Sequence, residues 1–377
     1  MKKNIAVIFG GTSNEHEISK ISAVNVLQNL PPEKYNVIVV GITKSGKWLR
    51  YSGSFAEITE SCWEDHPLNR EVIFSLNTFK KGIFVFNRGS TEFLRIDVVF
   101  PVLHGKNGED GKVQALLELS ELPFVGCSSA SSSNCMDKIT TNILLENSNI
   151  KKPKYFWFYF SDYKKNPEEI IKKIEEKVGD YPLFVKPSRS GSSIGISKAK
   201  DKSALRASIE IAAREDIKIL VEEAIVGKEL ECAILGDDEV FVSVVGEIIY
   251  KNEFYSYESK YTDNAAKLCI PANIDKKISE NIQKIAAKAY KILECSGLSR
   301  IDFFLRKNDF EILLNEINTI PGFTNASMYS KLMRKSGVNF PRLLDKLIDL
   351  AIQKSKSNTL EKEKIENFNT EKSSTSI

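Results

Sequence analysis

The sequence predicts an α/β protein built from two or three packed domains. Three observations support this prediction. The 377 residues exceed the usual size of a single domain. Hydrophobic residues make up 42% and charged residues 27% of the chain, as in ordinary soluble globular proteins. Short apolar runs alternate with helical segments, which favours parallel strands joined by crossover helices.

The first 127 residues have the pattern of a parallel-sheet α/β domain. We predict strands at 4–9, 35–42, 96–100 and 123–125, and helices at 18–30 and 109–121. Residues 50–92 are irregular and aromatic, and we expect no chemistry there. A serine-rich run at 127–134 marks the domain boundary.

Further strands and helices follow this boundary. In residues 128–224 we predict helices at 137–147 and 201–215 and strands at 181–186 and 218–222. In residues 225–354 we predict strands at 228–235, 240–249, 299–305 and 310–317, and helices at 275–294, 323–335 and 339–354. Residues 355–377 contain almost no apolar side chains, so they cannot offset their ordering entropy and we expect them to be disordered.

Composition and charge exclude several classes of protein. The 53 basic and 50 acidic residues leave a formal charge of +3, which argues against a nucleic-acid partner. No stretch approaches the roughly 20 apolar residues of a membrane span, and the first apolar run is too short for a signal peptide. The six cysteines are scattered without a C-x-x-C pair, so we expect neither zinc nor disulfides, and a cytoplasmic location.

Oxygen-bearing side chains on the last two predicted strands suggest a metal site. Strand side chains alternate, so Glu316 and Asn318 project from the same face, and Asp302 lies on the preceding strand. Carboxylate and amide oxygens suit Mg²⁺, which completes its shell with phosphate and water. The alternative is that these residues are exposed on the wet face of a sheet.

A loop rich in glycine and serine, 188–195, follows Lys186 at the end of a predicted strand. Its backbone N–H groups and hydroxyls could cover a phosphate. It is not a Walker A loop, because no G-x-x-x-x-G-K-[ST] occurs. A plain flexible linker is the alternative.

Three acidic residues follow or adjoin the next apolar strand: Glu222, Glu223 and Glu229. A strand edge there could offer backbone groups to a purine, and carboxylates could accept ribose hydroxyls. The alternative is a solvated acidic turn.

Two further candidates lie near the carboxyl edge of the first predicted sheet. Glu15, after Gly10 and Gly11, could bind a substrate ammonium, although a first-turn glutamate also suits the helix dipole. His104 lies in a glycine-rich segment that suits ligand contact. The absence of G-x-G-x-x-G argues against an NAD-dependent dehydrogenase.

These segments, in this order, resemble the D-alanine–D-alanine ligases of the ATP-grasp superfamily. The matching stretches are GGTSNEHEIS (10–19), FPVLHGKNGEDG (100–111), MDK (136–138), KPSRSGSSIGISK (186–198), EFYSYESKY (253–261), GLSRIDFF (297–304) and LNEINTIPGFTNASMY (314–329). The resemblance covers about residues 3–350. It implies an ATP-grasp fold with an N-terminal α/β domain, a central lid domain and a C-terminal catalytic domain with a mixed sheet, at the boundaries given above.

The resemblance also implies an activity. ATP would phosphorylate the carboxylate of one D-alanine, and the amine of a second would displace phosphate to give D-alanyl-D-alanine for peptidoglycan. It implies ATP, with Mg²⁺ or Mn²⁺, as cofactors and D-alanine as the small-molecule substrate, with neither nucleic acid nor membrane as partner. It also implies a homodimer.

The resemblance assigns roles to individual residues. The implied nucleotide-binding residues are Lys138, Lys186, Ser193, Glu222, Glu223, Ile225 and Glu229. The implied metal ligands are Asp302, Glu316 and Asn318. The implied catalytic residues are Glu15, Ser192, Tyr261, Arg300 and Gly322, with Arg300 and the Gly322 N–H at the oxyanion and Tyr261 sealing the site beside Glu15 and Ser192. The implied substrate-binding residues are His104, Lys260, Ser327 and Met328.

The resemblance does not decide the identity of the second substrate. Tyr261 argues against ligases that make D-alanyl-D-lactate, which are expected to replace it. D-alanine–D-serine ligases of the vancomycin-resistance type often carry arginine where Met328 stands, so D-alanine is favoured without excluding D-serine. A catalytically silent nucleotide-binding homologue is the remaining alternative, although it would not need Arg300.

Overall fold

The computed structural model describes residues 2–60, 62–250 and 266–374, and these residues form three β-sheets flanked by helices. The first sheet has the order β6-β5-β4-β3-β2-β1-β7. Its strands are β1 Lys3–Gly10, β2 Tyr35–Ile42, β3 Trp48–Tyr51, β4 Arg70–Phe74, β5 Gly82–Asn87, β6 Ser90–Arg95 and β7 Val98–Pro101. Its helices are α1 His16–Asn29, α2 Phe55–Thr59 and α3 Lys112–Leu119. Strand β1 pairs in parallel with β2 and β7, as the sequence predicts.

Residues 50–92, predicted to be irregular, instead extend the first sheet with antiparallel strands. Apolar side chains lie on both faces of this extension, which hides the alternation typical of a half-buried sheet. Val72 and Val85 are buried in the core, whereas Ile73 and Phe86 are exposed on the other face. The strand predicted at 123–125 is only an isolated bridge.

The second sheet is antiparallel, with the order β10-β9-β11-β8. Its strands are β8 Tyr155–Tyr159, β9 Leu183–Pro187, β10 Ser197–Ala199 and β11 Lys218–Glu223. The accompanying helices are α4 Ser129–Met136, α5 Lys138–Glu146, α6 Phe160–Lys165, α7 Pro167–Val178 and α8 Lys202–Ala212. The serine-rich run is thus a helix, and Ser128 caps it by accepting a hydrogen bond from Ser131 N at 3.2 Å.

The third sheet has the order β15-β14-β12-β16-β17, with β13 paired to β12. Its strands are β12 Gly227–Gly236, β13 Val240–Val242, β14 Gly246–Tyr250, β15 Ala266–Cys269, β16 Gly297–Arg306 and β17 Ile312–Asn318. Its helices are α9 Lys276–Ile292, α10 Met328–Lys335 and α11 Phe340–Ser374. All of its described strand pairs are antiparallel, which refines the mixed sheet implied by the family resemblance.

The last helix corrects the prediction of a disordered tail, because α11 continues to Ser374. The tail is rich in lysine, glutamate and other residues that lose little side-chain entropy in a helix. Leu343, Leu344 and Leu347 of α11 are buried in one core with Ile5 and Val7 of β1. The first and third sheets therefore share a hydrophobic core, whereas the second sheet packs α6, α7 and α8 around a separate one. The helices α4 and α5 pack instead into a core of the third sheet. No helix among the described residues is long and apolar enough to cross a membrane.

Candidate functional site

The side chains predicted to bind a metal lie on one face of the third sheet. Asp302 on β16 is the cross-strand partner of Glu316 on β17, so both side chains share that face. Asn318 lies two residues beyond Glu316, and its Nδ2 donates a hydrogen bond to Asp302 Oδ2 at 3.1 Å. The structure therefore brings the three predicted ligands together.

This set of donors fits a hard divalent cation such as Mg²⁺. Because the Asn318 amide turns its nitrogen towards Asp302, its oxygen is the atom left to act as a ligand. In the part of the chain that the structure describes, no group of three or more His, Cys, Asp or Glu side chains could hold a metal. Phosphate oxygens and water would have to complete the coordination shell.

Arg300 lies between two carboxylates on the same face. Its Nε and Nη2 donate to Asp302 Oδ1 and Oδ2 at 2.8 and 2.7 Å, and its Nε lies 3.1 Å from Glu231 Oε2. Burial alone would lower the pKa of Arg300, but the charges of Asp302 and Glu231 outweigh it and raise this pKa well above its usual value. The guanidinium is therefore a permanent, nearly buried positive charge beside the predicted metal ligands.

Lysines from the second sheet and its linker face these residues. Lys186 Nζ lies 2.5 Å from Glu222 Oε2 and 3.4 Å from Asn315 Oδ1. Lys152 Nζ donates to the Asn315 carbonyl at 2.9 Å. Burial lowers the pKa of Lys152 to about 7, with Glu222 opposing and Lys186 and Lys138 adding to the decrease. The cluster combines positive charge for a polyphosphate with carboxylates that hold it in position.

The loop predicted to cover a phosphate is anchored and locally strained. Ser192 and Ser193 have φ angles of 51° and 61°, in the left-handed region that non-glycine residues seldom adopt. The Ser192 hydroxyl donates a short hydrogen bond to Glu15. Arg189 forms a bidentate pair with Asp216, at 3.0 and 2.7 Å. Such strain persists only where surrounding contacts hold it, and it clusters at functional sites.

Asp137 joins this loop to the helix that carries Lys138. It caps α5 by accepting a hydrogen bond from Thr140 N at 3.1 Å, and it also accepts from Ser188 Oγ at 2.6 Å. Lys218 forms an ion pair with its second oxygen. Burial opposes ionisation of Asp137, but these hydrogen bonds lower its pKa. Lys138 Nζ in turn donates to the carbonyl of Ser190 at 2.6 Å.

Glu15 and His104 lie beside the loop that follows strand β17. Glu15 is the buried N-cap residue of α1. His104 Nδ1 lies 3.1 Å from the Ile320 carbonyl, so this nitrogen carries the proton, and Nε2 accepts from the Ser22 hydroxyl at 3.2 Å. Burial lowers the pKa of His104 against the opposing charge of Glu15. We therefore assign His104 as a neutral imidazole.

Glu109 also belongs to this group, although no sequence motif marks it as a site residue. Its carboxylate accepts hydrogen bonds from Gly105 N at 2.7 Å and Ile320 N at 3.3 Å. Burial and the negative charge of Glu15 raise the pKa of Glu109 to about 8. It joins the loop that carries His104 to the loop that leads into Gly322.

The segment from Gly322 to Met328 approaches the site through its backbone. A Cβ at Gly322 would lie 2.8 Å from Ser327 Oγ, so a side chain does not fit without movement. Ser327 is the N-cap residue of α10, and its hydroxyl accepts from Thr324 N at 3.0 Å. Met328 packs its side chain into the core against Gly246, so only its backbone can face a substrate.

The remaining predicted nucleotide residues line the connection between the second and third sheets. Glu223 accepts hydrogen bonds from Arg306 Nη2 at 2.9 Å and Lys154 N at 2.8 Å, so its side chain has a structural role. Ile225 is half-buried in the connecting loop, and Glu229 Oε2 accepts from Tyr250 OH at 2.7 Å.

Two predicted residues, Lys260 and Tyr261, lie outside the described residues. The prediction that Tyr261 seals the site beside Glu15 and Ser192 therefore stays a prediction.

The three-sheet architecture, in which Lys186 of the second sheet reaches Asn315 of the third, is that of an ATP-grasp protein. The family model "D-ala D-ala ligase N-terminus" matches residues 4–127, and "D-ala D-ala ligase C-terminus" matches residues 144–349. The chain belongs to the D-alanine–D-alanine ligase family, which confirms the resemblance and the predicted fold class.

Similar proteins are found among curated sequences and solved structures. The chain is 49% identical to the D-alanine–D-alanine ligase of Caldicellulosiruptor bescii over 94% of this chain and 96% of that protein. It is 43% identical to the VanG D-Ala:D-Ser ligase from Enterococcus faecalis, with a TM-score of 0.84 over 93% of this chain and 100% of that one. The D-alanine–D-alanine ligase from Coxiella burnetii has 32% identity and a TM-score of 0.83, over 98% and 99%.

Proposed function

We propose that this protein joins two D-alanines into D-alanyl-D-alanine, converting ATP to ADP and phosphate through an acyl phosphate, for peptidoglycan precursor synthesis. The observation that carries the proposal is the single face of the third sheet on which Asp302, Asn318 and Arg300 touch one another. Cation ligands beside a fixed guanidinium suit a reaction in which negative charge develops on a phosphorylated carboxylate. The family of the chain supports the same conclusion.

The nucleotide would lie between the second and third sheets. Lys138 and Lys186 would bind its phosphates, with Ser193 and the backbone of the glycine- and serine-rich loop covering them. The strip from Glu222 to Ile225 would hold adenine and Glu229 the ribose. Since the Glu223 side chain is engaged by Arg306, its contribution would come from its backbone.

The metal site would serve the phosphates of this nucleotide. Asp302, Glu316 and Asn318 would hold Mg²⁺ or Mn²⁺. The ion would neutralise charge on the triphosphate during phosphoryl transfer.

The first D-alanine would bind with its ammonium at Glu15. Its carboxylate would point towards Arg300 and His104, and attack on the γ-phosphorus of ATP would release ADP and give an acyl phosphate. A neutral His104, held by Ile320 and Ser22, would lie beside this carboxylate without repelling Arg300. Ser192, bonded to Glu15, would keep the loop closed over the reactive intermediate and exclude water.

The second D-alanine would bind with its carboxylate at the N-terminus of α10. There Ser327 and the Met328 N–H meet the positive end of the helix dipole. After losing a proton, its amine would attack the acyl phosphate carbon. Arg300 and the Gly322 N–H would stabilise the tetrahedral oxyanion, and phosphate would leave.

D-serine is the second candidate for the second substrate, because the similarity to the VanG D-Ala:D-Ser ligase extends over the whole of that chain. The two substrates differ by one hydroxyl. A site prefers D-serine over D-alanine only when it supplies a hydrogen-bond partner for that hydroxyl. The Met328 side chain lies in the core and supplies none. We therefore favour D-alanine.

The test is a phosphate-release assay with ATP, Mg²⁺ and D-alanine, combined with mass spectrometry of the product. D-alanyl-D-alanine should form, and L-alanine should be inert. In a mixture of D-alanine and D-serine, the homodipeptide should dominate. Absence of phosphate release with every D-amino acid would leave a silent nucleotide-binding protein, and a dominant mixed dipeptide would establish D-serine.

We also propose that the protein acts as a homodimer in the cytoplasm, where ATP is available. The family resemblance supports both points. Analytical ultracentrifugation should give twice the 42.4 kDa mass of the chain, whereas a single-chain mass would refute the dimer.

A further inference from the structure

Glu231 is a buried carboxylate on the metal-binding face that the family resemblance did not assign. It lies on β12 directly opposite Asp302 and is only 5% exposed. Side chains alternate along β12, so Glu231 projects into the site while Leu230 and Cys232 pack into the core on the other face. Its Oε2 lies 3.1 Å from Arg300 Nε.

A carboxylate in this position requires a compensating charge. Glu231 and Asp302 are cross-strand neighbours, and like charges directly opposite each other destabilise a sheet. Arg300 lies between them, donating hydrogen bonds to Asp302 and forming an ion pair with Glu231. The positively charged guanidinium of Arg300 therefore has a negatively charged carboxylate on each side.

The two carboxylates differ in what else they must do. Asp302 accepts at least three hydrogen bonds, two from Arg300 and one from Asn318, and it is also a proposed metal ligand. A carboxylate offers about four lone-pair sites, so a cation on Asp302 competes with Arg300 for the same oxygens. Glu231 is not one of the proposed ligands. It can therefore keep hold of Arg300 while Asp302 is shared.

We propose that Glu231 is a positioning residue, which fixes the Arg300 guanidinium at the oxyanion while Asp302 binds the metal. The inference rests on the proposed function. With Glu231 in place, Arg300 keeps one carboxylate partner when the cation binds. Without Glu231, Arg300 has only Asp302 as its carboxylate partner. The metal and the guanidinium then compete for the Asp302 oxygens, so each binds Asp302 more weakly.

The test variant is Glu231→Gln, which keeps the shape of the side chain and removes its charge. The matched control is Glu247→Gln. Glu247 is also buried, at 6% exposure, and pairs with Lys228 at 2.8 and 2.9 Å, but it projects from the opposite face of the sheet. Loss of a buried ion pair should lower the melting temperature of both variants by a similar amount.

Two measurements separate positioning from a purely structural role. In Glu231→Gln, kcat should fall about tenfold or more while KM for ATP stays within about twofold, since Arg300 acts in the transition state. The affinity for Mn²⁺ in the presence of ATP should fall about fivefold or more. It is measured by the loss of the electron paramagnetic resonance signal of the free ion. Glu247→Gln should change neither. Glu231→Asp, which keeps the charge on a shorter side chain, should recover part of both losses.

Equal behaviour of Glu231→Gln and Glu247→Gln in kcat and in Mn²⁺ binding would overturn the inference. If Glu231→Gln does not fold, as judged by circular dichroism, Glu231→Asp decides by the same comparison. The Mn²⁺ measurement needs no turnover. An inactive wild-type protein would therefore refute the proposed function, while unchanged Mn²⁺ binding in the variant would refute the role of Glu231.

Discussion

Replacement of Lys152 by methionine should stabilise the protein at neutral pH and destabilise it at alkaline pH. The pKa of this lysine is lowered from 10.5 to about 7, chiefly by burial. Between these values the unfolded chain holds a proton that the folded protein lacks, so the free energy of unfolding rises with pH. In the wild type, this contribution is complete only above pH 10.5 and is lost as the pH falls to about 7.

The size of this change in the free energy of unfolding follows from the same pKa. The full decrease corresponds to at most about 5 kcal/mol of penalty for the charged lysine, and partial solvation reduces this to about 2–3 kcal/mol. Methionine removes the penalty but leaves the Asn315 carbonyl without the Lys152 donor, which costs about 1–2 kcal/mol. We therefore expect Lys152→Met to be about 1 kcal/mol more stable than wild type at pH 7, and less stable at pH 10.

Urea denaturation at pH 7, 8.5 and 10 measures this difference, because groups common to both proteins cancel. Lys154→Met is the control, since Lys154 is an exposed lysine on the same linker. Its stability difference from wild type should be independent of pH. A Lys152→Met difference that changes by less than about 0.5 kcal/mol from pH 7 to pH 10 would refute the argument. Below pH 7, where Lys152 is charged, the variant should also raise KM for ATP, because it removes a positive charge beside Lys186.

Three further predictions concern the site. Arg300→Gln should lower kcat about a hundredfold or more while ATP still binds in isothermal titration calorimetry; unchanged turnover would remove the oxyanion role. Glu109→Gln should flatten the loss of stability that wild type shows from pH 4.5 to about 8, because the folded protein keeps a proton on Glu109 that the unfolded chain releases; urea denaturation showing an undiminished slope would contradict this. Asp137→Asn should raise KM for ATP about tenfold with kcat little changed, since it loosens Lys138 and the phosphate loop; an unaltered KM in steady-state kinetics would argue against that support.

The sequence predicted most of the elements that surround the site, because their patterns are local. Strand β2 lies at the predicted residues, and the N-terminal strand and the helix at 276–292 differ from prediction by one or two residues at each end. The strands between 70 and 95 were missed because apolar residues occupy both of their faces.

The site was predictable only where its residues lie in short motifs. Asp302, Glu316 and Asn318 occur in two strands joined by a tight turn, so their proximity follows from local pattern. Glu231 lies about 70 residues from its cross-strand partner Asp302, and no local pattern gives the register between them. Lys152 stands in an irregular linker, and only the folded chain shows that it reaches Asn315.

The shared core beneath α11 has a mechanical consequence. Because this helix packs into a core shared by the first and the third sheets, we expect those two layers to move as one unit. Glu15 and His104 on one side of that unit, and Arg300 and Gly322 on the other, would then keep their spacing whether or not nucleotide is bound. The second sheet has its own core, so we expect it to be the layer that moves relative to the other two. Amino acids and nucleotide would thus be admitted by moving a single layer, without dismantling the pocket in which the amino acids are joined.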